Sequence, residues 1–427
     1  MPRSSKSVTG LLVELWRHLS SRRRKQLALL SGLMILSVAV EVSTLGAVLP
    51  FIGVLTSPER VYSYPLVSAF AELFGLDTAD ELVLPLTIAF IVVALLAGAI
   101  RLLLLWTTTR LGIAISADLS AEAYRRTLYQ PYSVHIARNT SGVLSAITSK
   151  LDAVTHSVLV PLQQLFSSVV LIVGVVTALM MIDPSVATIA LASFGGAYAT
   201  VTLASRRQLR RNSVVVAQEQ TNVVKCLQEG MGGIRDILLD GTQLFFTDIF
   251  SRSERRFRVA RGANALLSTT PRVVMEAFGI VLIAALAFAL SRQADGLTGS
   301  LPMLGALAIG GQRLLPAMQQ TFACWAGIFG SQVLLAEIVE LLSQPIADPW
   351  VKASPEPLTL RESLRLESVS FEYTPEGPLV LEDVTMDVEK GTTVALVGST
   401  GSGKSTALDL MLGLLEPTSG SILVDGL

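Results

Sequence analysis

The chain has 427 residues, a formal net charge of −1 and a mean hydropathy of +0.57, with 51% hydrophobic and 16% charged residues. Soluble domains carry about 25% charged residues, so the composition excludes an ordinary water-soluble globule, and the near-zero charge argues against a nucleic-acid partner. Cys226 and Cys324 lack metal-ligand spacing and fall in a polar and an apolar run, so neither a metal site nor a disulfide is expected of them.

A helix needs about 20 apolar residues to cross about 30 Å of hydrocarbon. Six stretches qualify: 26–56, 82–109, 157–182, 185–205, 271–291 and 301–336. The first follows Arg22, Arg23, Arg24 and Lys25, is too long for a signal core and contains Glu41, so it reads as a retained span. The connections alternate in character. Spans one and two are joined by an acidic segment with Glu72, Asp77, Asp80 and Glu81, three and four by little more than Asp183-Pro184, and five and six by a short segment with Gly296 and Gly299. The N-terminus and the stretches 110–156 and 206–270 are arginine-rich, with clusters such as Arg206, Arg207, Arg210 and Arg211 at span ends. The positive-inside rule places these in the cytoplasm, and both termini with them. The protein is therefore expected in a bacterial-type cytoplasmic membrane as a multi-pass protein.

The two long cytoplasmic connections carry apolar residues at helical spacing, such as Ile234, Ile237 and Leu238, then Phe245, Phe246, Ile249 and Phe250. This predicts helices that leave the membrane, turn and return. The turns are predicted at Gly230–Gly233 and, in the first connection, near Gln130-Pro131 and Asn139–Gly142. Plain surface helix pairs would give the same pattern.

Composition changes near Ser343, where a proline-rich stretch reads as a linker. Short runs follow: Leu364, Leu366, Val369, Phe371 and Tyr373, then 379–381 and 384–388, and a buried strand at 394–397. That strand leads into Gly398, Ser399, Thr400, Gly401, Ser402, Gly403, Lys404, Ser405 and Thr406, and a helix over 406–415 follows, stopped by Pro417. This is the G-x-x-x-x-G-K-[ST] phosphate loop. Its glycines let the backbone curl until several N–H groups face one anion, and the following helix adds its positive dipole end. Lys404 supplies a point charge to the outer phosphates and the Ser405 hydroxyl is a Mg²⁺ ligand. ATP and Mg²⁺ are the cofactors expected.

The order Val369-Ser-Phe-Glu-Tyr373, Gly391, phosphate loop, then Glu416-Pro-Thr-Ser-Gly-Ser-Ile-Leu-Val-Asp-Gly426 resembles the start of an ATP-binding-cassette domain. With six spans ahead of it, the chain resembles a homodimeric exporter half-transporter. The resemblance implies an all-α six-helix membrane domain with long cytoplasmic extensions, followed by the N-terminal part of an α/β P-loop domain. The organisation is then a cytoplasmic segment at 1–25, a transmembrane domain at 26–342, a linker at 343–363 and a partial nucleotide-binding domain at 364–427. It further implies that Tyr373 stacks on adenine and that the turns near 133–142 and 229–239 are coupling helices. The signature sequence, the Walker B strand with its catalytic glutamate and the switch histidine are not in the sequence as it stands, so no catalytic residue is assigned and no hydrolysis is expected of these 427 residues alone.

Charges inside spans are costly and mark candidate sites. Glu41 lies in span one, Arg101 in span two, Arg272 at the start of span five and Arg313 in span six. Arg272 has Glu276 one turn on, and Arg101 has Glu41 as a candidate partner. The segment Val40–Ile52 and Arg313-Leu-Leu-Pro are similar to bacterial flippases for lipid-linked oligosaccharides. That resemblance implies that Arg101, Arg272 and Arg313 attract a pyrophosphate headgroup. A general lipid or multidrug exporter, or a non-catalytic membrane protein that binds a partner transporter or lipid, remains open.

Overall fold

The computed structural model describes residues 7–56, 83–137, 140–182, 184–291, 314–345, 359–375 and 377–427. The acidic connection after span one, the connections at 183 and 292–313, and most of the linker (346–358) lie outside the described residues. The chain divides into two compact units, Met1–Ala121 with Ser145–Leu342, and Glu122–Leu144 with Ser343–Leu427.

The first unit opens with helix α1 (Val8–His18), an element absent from the sequence reading. Ser7 caps it by accepting from the Gly10 N–H at 3.2 Å, and Val8, Leu11 and Leu15 are buried along one face. At its other end the Arg24 side chain donates to the Arg17 carbonyl (2.8 Å) and to the Trp16 carbonyl (3.1 Å), which also accepts from the Leu19 N–H (3.2 Å).

Long helices follow. They are α2 (Ser21–Thr56), α3 (Val83–Leu128), α5 (140–182), α6 (Pro184–Gly232) and α8 (Gln243–Ser291). Each contains one of the spans read from the sequence and most run well beyond it. Among the described residues, Val83–Leu128 and Ser141–Thr177 are long and apolar enough to cross a membrane. Hydroxyls in these helices bond back to the carbonyl one turn earlier, as Thr87, Thr107, Thr177 and Thr202 do at 2.6–2.8 Å. The span expected at 301–336 is described from 314 onward. It is broken at Ser331 into α9 (Leu314–Gly330) and α10 (Gln332–Leu342), bent by 57°. The freed Val333 N–H is taken up by the Ser213 hydroxyl at 3.1 Å.

Within this unit α6 packs along α8, with Tyr198, Leu209, Met275, Phe322 and Ala326 forming a shared core. Helix α5 carries two wide turns, Ala146–Lys150 and Thr155–Leu159, each with π-type bonding. Lys150, almost fully buried at the end of the first, places its ammonium 2.5 Å from Glu337 and 2.6 Å from the Thr221 hydroxyl. One charge thereby ties α5, α6 and α10 together.

The turn between α6 and α8 lies where the glycines placed it. A break at Gly233 is followed by the short helix α7 (Ile234–Asp240), which ends at Gly241 in the left-handed conformation (φ 66°). In the second unit, α4 (Tyr132–Ala137) occupies the corresponding turn of the first connection. There Arg126 donates to the Gln344 carbonyl (3.0 Å) and Gln130 to the Pro345 carbonyl (2.6 Å), so the turn is bonded to the start of the linker.

The rest of the second unit is a three-stranded antiparallel sheet and one helix. Strands β1 (Ser363–Phe371), β2 (Leu381–Glu389) and β3 (Ser419–Val424) take the order β2-β1-β3, with α11 (Lys404–Met411) packed against them. Leu366, Val369, Phe371 and Leu381 meet Ala407, Leu410 and Leu415 in one core. The run expected at 384–388 lies within β2, but of the run expected at 379–381 only Leu381 joins that strand. The expected strand at 394–397 is not formed: these residues carry no ladder, and Val397 is 92% exposed. An apolar run becomes a strand only when paired with a neighbouring edge, and residues 394–397 pair with neither outer strand of the sheet, β2 or β3. Helix α11 also ends earlier than Leu415. Bonds from Gly413 N–H to Leu410 and from Leu414 N–H to Asp409, both 2.9 Å, close its last turn before Pro417 is reached.

Asp425 staples the sheet. Its carboxylate accepts from the backbone N–H groups of Arg361 (2.7 Å), Glu362 (2.7 Å) and Ser363 (3.0 Å), joining the end of β3 to the start of β1. These donors hold its pKa below the ordinary carboxylate value. A depressed folded-state pKa contributes stability that is complete above the unfolded value of about 3.9 and is lost as pH falls through the folded value. Asp425→Ala should therefore make the 359–427 segment more protease-sensitive at pH 7, and the difference from wild type should shrink below pH 4. A difference independent of pH would assign the effect to packing instead.

Candidate functional site

The phosphate loop sits between the exposed 394–397 segment and α11. Gly403 caps the helix in the left-handed conformation (φ 80°). A Cβ there would lie 2.7 Å from the Leu381 side chain and 2.8 Å from the Val380 carbonyl, so the position admits glycine alone. It supplies no side-chain cap, and the first N–H groups of α11 are left to an external acceptor. That is the arrangement an anion requires at a helix N-terminus.

Lys404 lies across this opening. Its ammonium donates to the Ser399 carbonyl (2.6 Å), the Gly398 carbonyl (3.0 Å) and the Ser402 hydroxyl (3.1 Å). All three acceptors belong to the loop itself, so the charge is held at the mouth by contacts that a phosphate would replace more strongly. Ser405 is exposed in the first helical turn. Thr406, next to it, shares a 2.9 Å hydrogen bond with the Tyr373 hydroxyl. Tyr373 stands edge-on to Phe371, with ring centroids 4.9 Å apart, and is 48% exposed. The structure thus brings Tyr373 and residues 398–406 together, with the aromatic ring beside the phosphate loop. The donor set fits a nucleotide: unpaired amides, a displaceable ammonium and an accessible ring. Among the described residues no group of three or more His, Cys, Asp or Glu side chains could hold a metal, so a cation here would depend on phosphate oxygens and Ser405.

This architecture is matched among known proteins. A family model described as "ABC transporter transmembrane region" matches residues 33–299, well over half the chain, and one described as "ABC transporter" matches 381–427. The chain belongs to the ABC transporter family. It is similar to a fatty acid ABC transporter ATP-binding/permease protein of Mycobacterium tuberculosis, 27% identical over 82% of this chain and 55% of that one. It is also similar to an ATP-dependent lipid A-core flippase of Ralstonia nicotianae, 28% identical over 52% of this chain and 36% of the flippase. The ABC transporter chain thus spans about half or less of these curated relatives. The solved structure of a bacterial Atm1-family ABC exporter with ATP bound superposes with a TM-score of 0.66 at 18% identity, over 94% of this chain and 68% of that chain, and shares the exporter fold.

Of the intramembrane arginines, the two described are each paired with a carboxylate. Arg101 pairs with Glu41 at 2.5 Å and Arg272 with Glu276 at 3.2 Å. Arg313 lies outside the described residues. A polar cavity of about 790 Å³ opens elsewhere in the membrane unit, between α5, α6, α8 and α9, with Asp152, His156, Glu254, Arg258, Arg261 and Asn264 on its wall. None of these residues is assigned to a site by sequence, and Arg258 and Arg261 count there only as part of a basic cluster at a span end, because each sits in a polar helical extension where such side chains are ordinary. A periodicity count along α8 shows Glu254, Arg258, Arg261, Ala265 and Ser268 on one stripe, and that stripe was the available signal.

The tight fit at Gly403 gives a direct test. Gly403→Ala should lose binding of a fluorescent ATP analogue at least tenfold while keeping the far-ultraviolet circular dichroism of the helical unit. Unchanged affinity would mean that the loop tolerates a Cβ and that the close approach does not shape the site.

Proposed function

We propose that the chain is a subunit of an ATP-driven exporter that moves an amphipathic, lipid-like cargo across the cytoplasmic membrane. The observation that carries this reading is the cradle of Gly403, Lys404 and the open N-terminus of α11, within a chain whose membrane unit has the exporter fold. In it, the N–H groups of 401–406 and Lys404 hold the β- and γ-phosphates of ATP, Ser405 contributes a ligand to phosphate-bound Mg²⁺, and Tyr373 stacks on the adenine. The transmembrane domain occupies 26–342 and the nucleotide-binding part starts at 364, with both termini cytoplasmic, as the arginine-rich extensions favour. Two copies pair as a homodimer. The helical turns at α4 and α7 couple nucleotide state to the helices; exposed Leu238 and Leu239 on α7 give the second turn an apolar surface for docking.

The cargo class is supported by relatives whose names speak of fatty acids and of lipid A-core. A lipid with a phosphate or pyrophosphate headgroup, such as a polyprenyl-linked oligosaccharide, matches guanidinium forks. Arg101, Arg272 and Arg313 are the proposed contacts, the first two by exchanging a carboxylate for the headgroup.

Two measurements test the reading. Lys404→Ala should weaken binding of an ATP analogue at least tenfold, about 1.4 kcal/mol; undiminished affinity would remove the lysine from its role. In proteoliposomes with labelled polyprenyl-pyrophosphate sugar, and with the chain joined to a complete nucleotide-binding domain, Arg313→Ala should slow nucleotide-dependent flipping severalfold. Equal rates would exclude Arg313 from headgroup recognition.

A further inference from the structure

A second feature of the membrane unit is unrelated to nucleotide or to the polar cavity. A groove of about 990 Å³ runs between α2 and α3. Its α2 wall follows one helical stripe, with Gln26, Leu29, Leu33 and Leu36 at spacings of three and four. Its α3 wall does the same with Leu103, Trp106 and Arg110. Leu29, Leu36 and Trp106 are exposed, so the groove is an open apolar face between two helices.

One end is charged. Arg22, Arg23 and Arg110 line it together. Arg23 is committed: it binds Asp118 at 2.7 Å and Gln26 at 2.9 Å. Arg22 and Arg110 are exposed, and among the described residues neither forms an ion pair. Arg110 lies over the face of Trp106, 4.9 Å from the ring centroid. Two guanidinium groups thus stand at the head of an apolar trough, with an indole between charge and trough.

Position along the membrane normal follows from the sequence of α2. Arg22, Arg23, Arg24 and Lys25 immediately precede its apolar stretch, and basic residues at the end of a span stand at the membrane interface. The trough begins at the next residue, Gln26. From Gln26 to Leu36 the helix rises about 15 Å at 1.5 Å per residue, which is half of the ~30 Å hydrocarbon core and so the depth of one leaflet. Tryptophan and arginine at this level are the residues that meet lipid headgroups.

We propose that this groove is a binding site for one anionic phospholipid of the cytoplasmic leaflet, with the headgroup phosphate between Arg22 and Arg110 and an acyl chain laid along the α2–α3 trough. Basic pockets between membrane helices on the cytoplasmic side select anionic headgroups by this chemistry. The occupant is a bilayer lipid and not a free anion, because the charged end opens directly onto the apolar trough. The choice of leaflet rests on the orientation given under Proposed function; the headgroup selectivity does not.

The test is native mass spectrometry of the 427-residue chain released from detergent, without nucleotide, titrated with phosphatidylglycerol or phosphatidylcholine of matched acyl chains. Wild type should retain one phosphatidylglycerol per chain roughly tenfold more tightly than phosphatidylcholine. Arg22→Gln with Arg110→Gln should abolish that preference, and Arg22→Lys with Arg110→Lys should keep most of it, which separates lost charge from lost fold. Arg252→Gln, which removes an exposed arginine already paired with Asp248, should change nothing. Equal retention of the two lipids by wild type, or an undiminished preference in the double Gln variant, overturns the site. Displacement of phosphatidylglycerol by millimolar inorganic phosphate overturns the lipid as occupant. Orientation is read separately by a membrane-impermeant maleimide on Cys226, which should react only after cells are lysed. Labelling in intact cells would overturn the cytoplasmic leaflet and the orientation together, whatever the lipid selectivity.

Discussion

In hydrocarbon no backbone N–H or C=O can turn to water for a partner, and this constraint governs the membrane unit. It forces each span into a helix whose polar groups are satisfied internally. The same requirement reaches the side chains. Threonine hydroxyls return their protons to carbonyls one turn back, and Arg101 and Arg272 each meet a carboxylate. Once nucleated, a helix has no reason to stop at the membrane surface, so α3, α6 and α8 run on past their apolar stretches. Breaks occur where a substitute partner exists. At Ser331 the Ser213 hydroxyl serves the freed amide, and the chain can bend by 57°.

Where those extensions leave the lipid, polar contacts take over the task of holding helices in register. Lys150 illustrates the change. It is buried, yet its ammonium has a carboxylate and a hydroxyl within hydrogen-bonding distance, supplied by two other helices. A buried charge of this kind adds little net stability over a well-packed apolar group, and removing one partner is costly. Its value is geometric, since only one arrangement of α5, α6 and α10 satisfies it. The adjoining π-type turns in α5 shift the register by which Lys150 reaches its partners.

Much of this was legible from residues alone, and the divisions are physical. The spans were readable because about 20 apolar residues are a signal that no other structure mimics. The phosphate loop was readable because its glycines answer to local backbone geometry, as Gly403 shows, and its lysine to the charge of a phosphate. The strand at 394–397 was misread because strand formation depends on a partner edge, which a single apolar run does not disclose. Helix α1 was overlooked although Val8, Leu11, Leu12 and Leu15 recur at i, i+3, i+4 and i+7, because eleven residues are too short to cross a membrane and its fixation by Arg24 is a tertiary bond. The polar cavity was invisible for a related reason. Asp152, Glu254 and Asn264 are unremarkable on any one helix and become a group only when the helices pack.

The arginines show how one residue type divides by level. In the interior, Arg101 has Glu41 and Arg272 has Glu276, so each charge is largely neutralised within the protein. At the basic end of α2, Arg23 is ion-paired with Asp118 at 2.7 Å, Arg22 forms no ion pair among the described residues and acts on the same carboxylate only at longer range, and Arg110 lies over the Trp106 ring. An unpaired guanidinium is tolerable where water and lipid phosphates are both at hand, and intolerable deeper, where neither is. Arg22 and Arg110 both belong to the basic stretches at span ends, so the charge pattern that the positive-inside rule reads is the same one that the proposed lipid would meet in the α2–α3 groove.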